Sequence, residues 1–233
     1  MNRARRFAVV PAAGAGERFG TAIPKQYADL AGAPVLSRTL DRLAGLECEC
    51  IFVALDPNDR EYERRVGARN DVEILRCGDA TRAATVRNAL ALLESRCNGD
   101  DWILVHDAVR PCVPRDALTR LVDQLADDPV GGLLAVPVAD TVKRSQGDRV
   151  MSTENRESLW HAQTPQMFRY AILKAALHRD PSAAFTDEAQ AVEAFAATGA
   201  CMSPRLVRGS TANLKITYPE DLSLAAAILA TQS

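Results

Sequence analysis

Apolar positions along this chain gather into short runs, at residues 7–10, 51–55, 72–75, 102–105 and 133–138. Each run has strand length, and in several the apolar residues are consecutive, as in strands covered on both faces. Between the runs the spacing becomes helical. Over residues 85–93, Val86, Ala89, Leu90 and Leu93 stand at i, i+3, i+4 and i+7. Thr81 or Asp79 is placed to cap that helix, and Pro219, Glu220 and Asp221 suit the first turn of a last one. The alternation predicts an α/β fold, a three-layer and mostly parallel sheet with helices on both faces and ligands at the carboxyl ends of its strands.

One stretch breaks the alternation. Residues 138–165 are polar, and Lys143-Arg144-Ser145-Gln146-Gly147-Asp148-Arg149-Val150 reads as two short strands around a turn. This stretch has too few apolar residues to bury itself. It is expected to be a projecting β-arm that pairs with a second copy of the chain, with a flexible surface excursion as the alternative. No repeat, linker or low-complexity tract divides the 233 residues, which read as one domain (1–233) with a dimerisation arm.

Charge and composition narrow the partners. A net charge of −2 argues against a surface built to coat nucleic acid or anionic membrane, so any anion must be held by locally gathered Arg and Lys. No apolar run approaches the roughly 20 residues of a membrane span, and no charged-then-apolar leader precedes the first strand, so a cytoplasmic protein is expected. Cys48, Cys50, Cys77, Cys97, Cys112 and Cys201 show no C-x-x-C, and His106, His161 and His178 form no H-x-x-x-H pair. Buried thiols in a reducing compartment are expected, without a transition-metal site.

The segment richest in chemistry follows the first strand: Pro11-Ala12-Ala13-Gly14-Ala15-Gly16-Glu17-Arg18-Phe19-Gly20, closing on Pro24-Lys25-Gln26. Small residues let backbone N–H groups approach an anion, and Arg18 and Lys25 add fixed positive charge. A dinucleotide fingerprint does not fit, because Phe19 stands where the third glycine belongs and Pro24 interrupts the helix that should follow. Nor does a P-loop, since Lys25 comes five residues after Gly20 and is followed by Gln26. The segment reads as a triphosphate site or, taken alone, as a glycine-rich turn with two solvated cations.

Further along come His106-Asp107-Ala108-Val109-Arg110-Pro111 after an apolar run, then Trp160-His161-Ala162-Gln163-Thr164-Pro165-Gln166, Thr186-Asp187-Glu188-Ala189 and Asn213-Leu214-Lys215-Ile216-Thr217. Asp107 is suited to accept from a hydroxyl or serve the water shell of a metal, and Arg110 to grip a phosphate bidentately. A mutual Asp–Arg salt bridge closing a turn is the competing reading. Lys215 sits in a short strand-like run just before a helix, and Arg156 and Lys215 read singly as surface cations.

These segments, in this order and over nearly the whole chain, resemble the 2-C-methyl-D-erythritol 4-phosphate cytidylyltransferase family; the first segment alone indicates only the wider nucleotidyltransferase superfamily. The resemblance implies a Rossmann-like fold and transfer of CMP from CTP to methylerythritol phosphate with Mg2+, releasing pyrophosphate. It implies Arg18 and Lys25 as transition-state stabilisers on the triphosphate, and Arg156 and Lys215 as the pair that positions the acceptor. The arm arginine then serves the neighbouring subunit of a homodimer. The resemblance places Ala12, Ala13, Gly14, Ala15, Gly16, Gly78, Asp79 and Thr85 at the nucleotide, and Asp107, Arg110, Thr141, Thr164 and Thr186 at the acceptor. Mg2+ is expected mainly on the triphosphate, with Asp107 in its second shell.

The match loosens at the base pocket. Where the family carries paired glycines before an R-x-x-S-V run, this chain reads Cys77-Gly78-Asp79-Ala80-Thr81-Arg82-Ala83-Ala84-Thr85-Val86. Thr85 keeps the hydroxyl, but Asp79 puts a side chain where backbone is expected to approach the base, at a modest cost if φ is positive there. Weaker CTP binding than in an Asp79→Gly variant is therefore expected. A cytidylyltransferase for another polyol phosphate, such as ribitol 5-phosphate, and a catalytically silent nucleotide-binding module are the rival readings. Fusion to a second catalytic domain is not expected, since the sequence stops just after its last helix.

Overall fold

The computed structural model describes residues 4–14, 19, 23–183 and 185–232. The first apolar run becomes β1 (Arg6–Pro11); a 3-10 turn at Lys25–Tyr27 and the short pair β2 (Asp29–Leu30) and β3 (Ala33–Pro34) lead into α1 (Val35–Leu43). Then β4 (Cys50–Ala54), α2 (Glu61–Arg65), β5 (Val72–Leu75), α3 (Arg82–Leu92), β6 (Trp102–Val105), α4 (Arg115–Leu125) and β7 (Gly131–Pro137) alternate. The hairpin β8 (Val142–Gln146) and β9 (Arg149–Glu154) precedes β10 (Trp160–Arg169), α5 (Tyr170–Arg179), α6 (Glu188–Ala196), β11 (Arg205–Arg208) and α7 (Asp221–Thr231).

The central sheet has seven strands in the order β11-β7-β10-β6-β1-β4-β5. Its neighbours pair in parallel except β10, which is antiparallel to both β6 and β7. Consecutive apolar residues supply both faces. Ala8, Val10, Ile51, Val53 and Leu104 pack with Leu36 and Leu40 of α1 and Leu118 and Leu121 of α4. Phe7, Val9, Phe52 and Ile103 pack with Val86, Ala89 and Leu90 of α3 and Leu173 and Leu177 of α5. Each fully buried aliphatic or aromatic side chain contributes about 1.5–3 kcal/mol of transfer free energy, which fixes the strand register and points every strand terminus the same way except that of β10.

Two expectations need correction. Residues 160–165 are not part of the arm but the first half of β10, a central strand. Gln163, Thr164 and Gln166 are buried there, and their polar groups are satisfied by partners elsewhere in the fold, which hydropathy along the chain does not register. The stretch around Lys215 is not a strand; Ile216 N–H donates to the Val109 carbonyl (2.9 Å) and the chain turns on toward α7. The arm itself forms as expected: β8 and β9 pair with each other from Val142↔Glu154 to Gln146↔Arg149, and Val150 and Met151 near its tip are exposed.

Candidate active site

Loops at the carboxyl ends of β1, β5 and β6 meet at one edge of the sheet. After β1, Ala12 N–H donates to the Ala54 carbonyl (2.8 Å), and the buried amide of Gln26 donates to the carbonyls of Ala12 (2.9 Å) and Gly14 (3.2 Å). The Lys25 ammonium donates to the Ile216 carbonyl (3.3 Å), which brings it one residue away from Lys215. Ala15, Gly16 and Arg18 lie outside the described residues. After β5, Gly78 donates to the Leu55 carbonyl (2.8 Å). A Cβ at Gly78 would collide with the Ala13 methyl and stand 2.8 Å from the Leu55 oxygen, so the two loops touch only because this residue is glycine.

Helix α3 starts on Thr81, whose hydroxyl oxygen accepts from Ala84 N–H (3.1 Å). Thr85 Oγ1 accepts from Asp79 N–H (3.0 Å) and donates to the Thr81 carbonyl (3.0 Å), pinning the loop to the helix. These segments, with Arg82, Asp107 and Lys215, line a cavity of about 180 Å³. Asp79 is not among the positive-φ residues. Its carboxylate accepts from Ala80 N–H (2.7 Å) and the Asn88 amide (3.2 Å), two contacts that hold its pKa below the ordinary value. The condition for a backbone cost, a positive φ, is therefore not met, and the side chain lines the cavity.

Asp107, at the end of β6, is the electrostatic centre. Its Oδ1 takes Arg82 Nε (3.1 Å), and its Oδ2 takes Lys215 Nζ (2.9 Å) and Arg110 Nε (3.3 Å). Arg82 also holds buried Glu188 at 2.5 Å. Burial opposes ionisation of Asp107, but the charges of Arg82, Lys215 and Arg110 outweigh it and keep the carboxyl far below the usual range. Burial alone would lower the Arg82 pKa; Glu188 and Asp107 raise it above the ordinary value. Three cations against two carboxylates leave the cluster net positive, in a low-dielectric site where an anionic ligand is favoured.

Arg110 thus closes a turn onto Asp107, the competing reading of this pair, and donates from Nη1 to the Asn213 carbonyl (2.7 Å) while also lining a cavity. The turn is set by His106. Burial lowers its pKa to about 4, leaving the ring neutral. Thr164 Oγ1 accepts from Asp107 N–H (3.0 Å) and pairs with His106 Nδ1 (3.0 Å), while Nε2 faces the Arg110 carbonyl (3.1 Å). A carbonyl only accepts, so Nε2 carries the proton and the Thr164 hydroxyl donates to Nδ1. A bulge in β10 makes this reach possible: Gln163, Thr164 and Pro165 stand opposite the single Leu134 of β7.

A second cavity, of about 130 Å³, lies beyond the cluster and takes in Arg110, Thr164, Gln166 and Thr186, sharing Arg82, Asp107 and Lys215 with the first. Thr186 donates from its N–H (2.7 Å) and hydroxyl (3.2 Å) to Gln190 Oε1. The expected residues so divide between two adjoining cavities. Four of the described ones line neither cavity: Lys25 and Gly78 lie in the loops beside them, and exposed Thr141 and Arg156 lie at the arm, where Arg156 donates to the Ala139 carbonyl.

Against known proteins, the family model for 2-C-methyl-D-erythritol 4-phosphate cytidylyltransferase matches residues 7–231. The chain belongs to this family. The family's enzyme from Laribacter hongkongensis is 53% identical over 228 residues, covering 97% of this chain and 96% of that protein. The one from Dechloromonas aromatica is 50% identical over 231 residues, covering 97% of each. The crystal structure of a 4-diphosphocytidyl-2C-methyl-D-erythritol synthase superposes with TM-score 0.85 at 37% identity, covering 98% of this chain and all of the other. That of the Francisella tularensis cytidylyltransferase does so with TM-score 0.80 at 34% identity, covering 97% of this chain and 100% of that one.

As a cytidylyltransferase, the protein is an enzyme of the nucleotidyltransferase class, as its sequence motifs imply. Sequence reasoning left several of its structural participants without a role. Arg82, Glu188, His106, Gln26 and Gln166 all stand within the motifs, but their contacts run between segments 14 to 106 residues apart or are folded into one turn. For Arg82 the one available signal is its fixed place three residues before Thr85 at the start of α3.

Proposed function

We propose that this cytidylyltransferase transfers CMP from CTP to 2-C-methyl-D-erythritol 4-phosphate, giving 4-diphosphocytidyl-2-C-methyl-D-erythritol and pyrophosphate. The observation that carries the reading is the pair of cavities meeting at Arg82, Asp107 and Lys215. The nucleotide occupies the cavity under the 12–14 and 78–85 loops, and the acceptor occupies the one lined by Arg110, Thr164 and Thr186. An oxygen of the acceptor phosphate forms a bond to the α-phosphorus of CTP, the bond to the β-phosphate oxygen breaks, and pyrophosphate leaves with that electron pair.

Two anions must approach each other, so the protein's task is positioning and charge stabilisation. Arg18 and Lys25 stabilise the charge that builds on the triphosphate, and Lys215 with Arg156 from a neighbouring subunit positions the acceptor phosphate. Thr164, its proton committed to His106, retains a lone pair for a hydroxyl of the acceptor.

Magnesium fits this site as a companion of the nucleotide. Both Asp107 oxygens already face cations, and no group of three or more His, Cys, Asp or Glu gathers among the described residues. On the triphosphate, the ion supplies charge neutralisation for the leaving pyrophosphate. A homodimer through the arm accounts for a polar hairpin that pairs with itself and exposes Val150 and Met151. Six free cysteines favour a reducing cytoplasm, and among the described residues no helix is long and apolar enough to cross a membrane.

Pyrophosphate release with CTP and magnesium tests the reading, comparing methylerythritol 4-phosphate, ribitol 5-phosphate and no acceptor. Release with methylerythritol phosphate alone is expected. Release with ribitol phosphate alone would overturn the acceptor assignment, and release with neither would reduce the site to a binding module.

A further inference from the structure

We infer that Glu188 is a positioning residue for cytidylyl transfer, acting through Arg82 and Asp107 to hold the Lys215 ammonium where the two cavities meet. This rests on the reaction proposed above. The chain of contacts is continuous: Glu188 Oε1 to Arg82 Nη1 (2.5 Å), Arg82 Nε to Asp107 Oδ1 (3.1 Å), Asp107 Oδ2 to Lys215 Nζ (2.9 Å).

The far end of this chain is fixed to the sheet. Gln166 on β10 accepts from Ala189 N–H (2.7 Å) and donates to Asp187 Oδ2 (2.9 Å), which seats the first turn of α6 and with it Glu188. Glu188 is 1% exposed. It touches neither reacting group through a described contact, yet its partner Arg82 lines both cavities.

Stability is a poor reason for such an arrangement. Two well-packed apolar side chains of similar volume commonly serve a core as well as a buried ion pair or better. This pair is also incompletely satisfied, because Arg82 Nη2 and Glu188 Oε2 are buried without a hydrogen-bond partner among the described residues. What Glu188 does provide is a second anchor for Arg82. Without it, three cations compete for the two oxygens of Asp107, and Arg82 is free to take both oxygens in the bidentate geometry its guanidinium favours. That displaces Lys215 from Oδ2. A misplacement of about 1 Å at the reacting groups can cost on the order of 100-fold in rate.

The test is a cycle of Glu188→Gln, Arg82→Gln and the double variant, read by steady-state kinetics and by thermal unfolding. Each single change strands a buried charge and is expected to lower stability and to lower kcat by about 10- to 100-fold; for Glu188→Gln, at a residue that lines neither cavity, the KM for CTP stays within about threefold. The double change removes both charges and recovers stability. Its kcat is expected to stay as low as that of Arg82→Gln alone, because Glu188 has nothing left to act through.

A double variant whose rate recovers together with its stability would overturn the inference and make the pair structural. So would a folded Glu188→Gln enzyme with the parent's kcat. If Glu188→Gln does not fold, Glu188→Asp, which keeps the charge but draws it back from Arg82, takes its place: a lowered kcat is expected, and the parent's kcat would overturn the inference. A parent enzyme that releases no pyrophosphate in the same assay would overturn the assigned reaction, and this inference with it.

Discussion

Lys25 and Asp79 show how much one side chain can be made to say. The Lys25 ammonium reaches across the fold to the Ile216 carbonyl, and a half-buried cation of this kind contributes little to folding. Lys25→Ala is therefore expected to lower turnover by roughly 100-fold or more while stability changes by less than about 1 kcal/mol. Initial rates paired with thermal unfolding check this, and an equally large stability loss would make Lys25 structural. Asp79 keeps a carboxylate in the cavity given to the anionic nucleotide, although its backbone is unstrained. Asp79→Asn retains the side-chain acceptor for Ala80 N–H and removes the charge. CTP is expected to bind about 2- to 5-fold more tightly to it, an advantage that shrinks as salt is raised. A titration at low and high salt showing no difference from the parent would place the carboxylate outside the nucleotide's field.

At the scale of the element, the turn from His106 to Arg110 is held by hydrogen bonds that need a neutral imidazole. Burial depresses that pKa to about 4, from an ordinary value near 6.5. Below pH 6.5 the unfolded chain takes up a proton that the folded chain refuses, so stability falls as pH falls from about 6.5 to 4, at up to about 1.4 kcal/mol per pH unit. Asp107 acts in a separate window: its carboxyl is held below the usual range, so its contribution is present at neutral pH and is lost only below the ordinary carboxylate value of 3.8. Thermal unfolding between pH 7 and 4.5 should show the first slope in the parent and a flatter one in His106→Gln. Elements whose burial is apolar were legible from hydropathy: β1, β4, β5, β6 and β7 all fall on the apolar runs. β10 was not, because Gln163, Thr164 and Gln166 are buried by pairing their polar groups rather than by being apolar.

For the whole molecule, the open matter is Arg156, which lies at the arm and away from both cavities of its own chain. If it completes a neighbour's site, mixing inactive Arg156→Ala subunits with inactive Lys25→Ala subunits creates dimers holding one intact site. Activity is expected to return toward about a quarter of the parent's, given random pairing and one good site in half of the dimers. No recovery, with mixed dimers shown by light scattering or native mass spectrometry to form, would place Arg156 in its own subunit's site.

The sequence by itself determined the layered α/β sheet, the arm and the order of the motifs, since those depend on local periodicity and on residue types at short spacing. It also carried Gly78, where only a missing Cβ allows two loops to touch. The tertiary structure alone decided that Asp107 is the shared counter-ion of Arg82, Arg110 and Lys215, and that Glu188 stands behind Arg82. Those charges come from β6, α3, α6 and the segment before α7, and their pairing depends on distances of a few ångströms between residues up to 108 positions apart. Linear spacing cannot encode such distances. They exist only once both faces of the sheet have been covered and the strand ends have been brought to one edge.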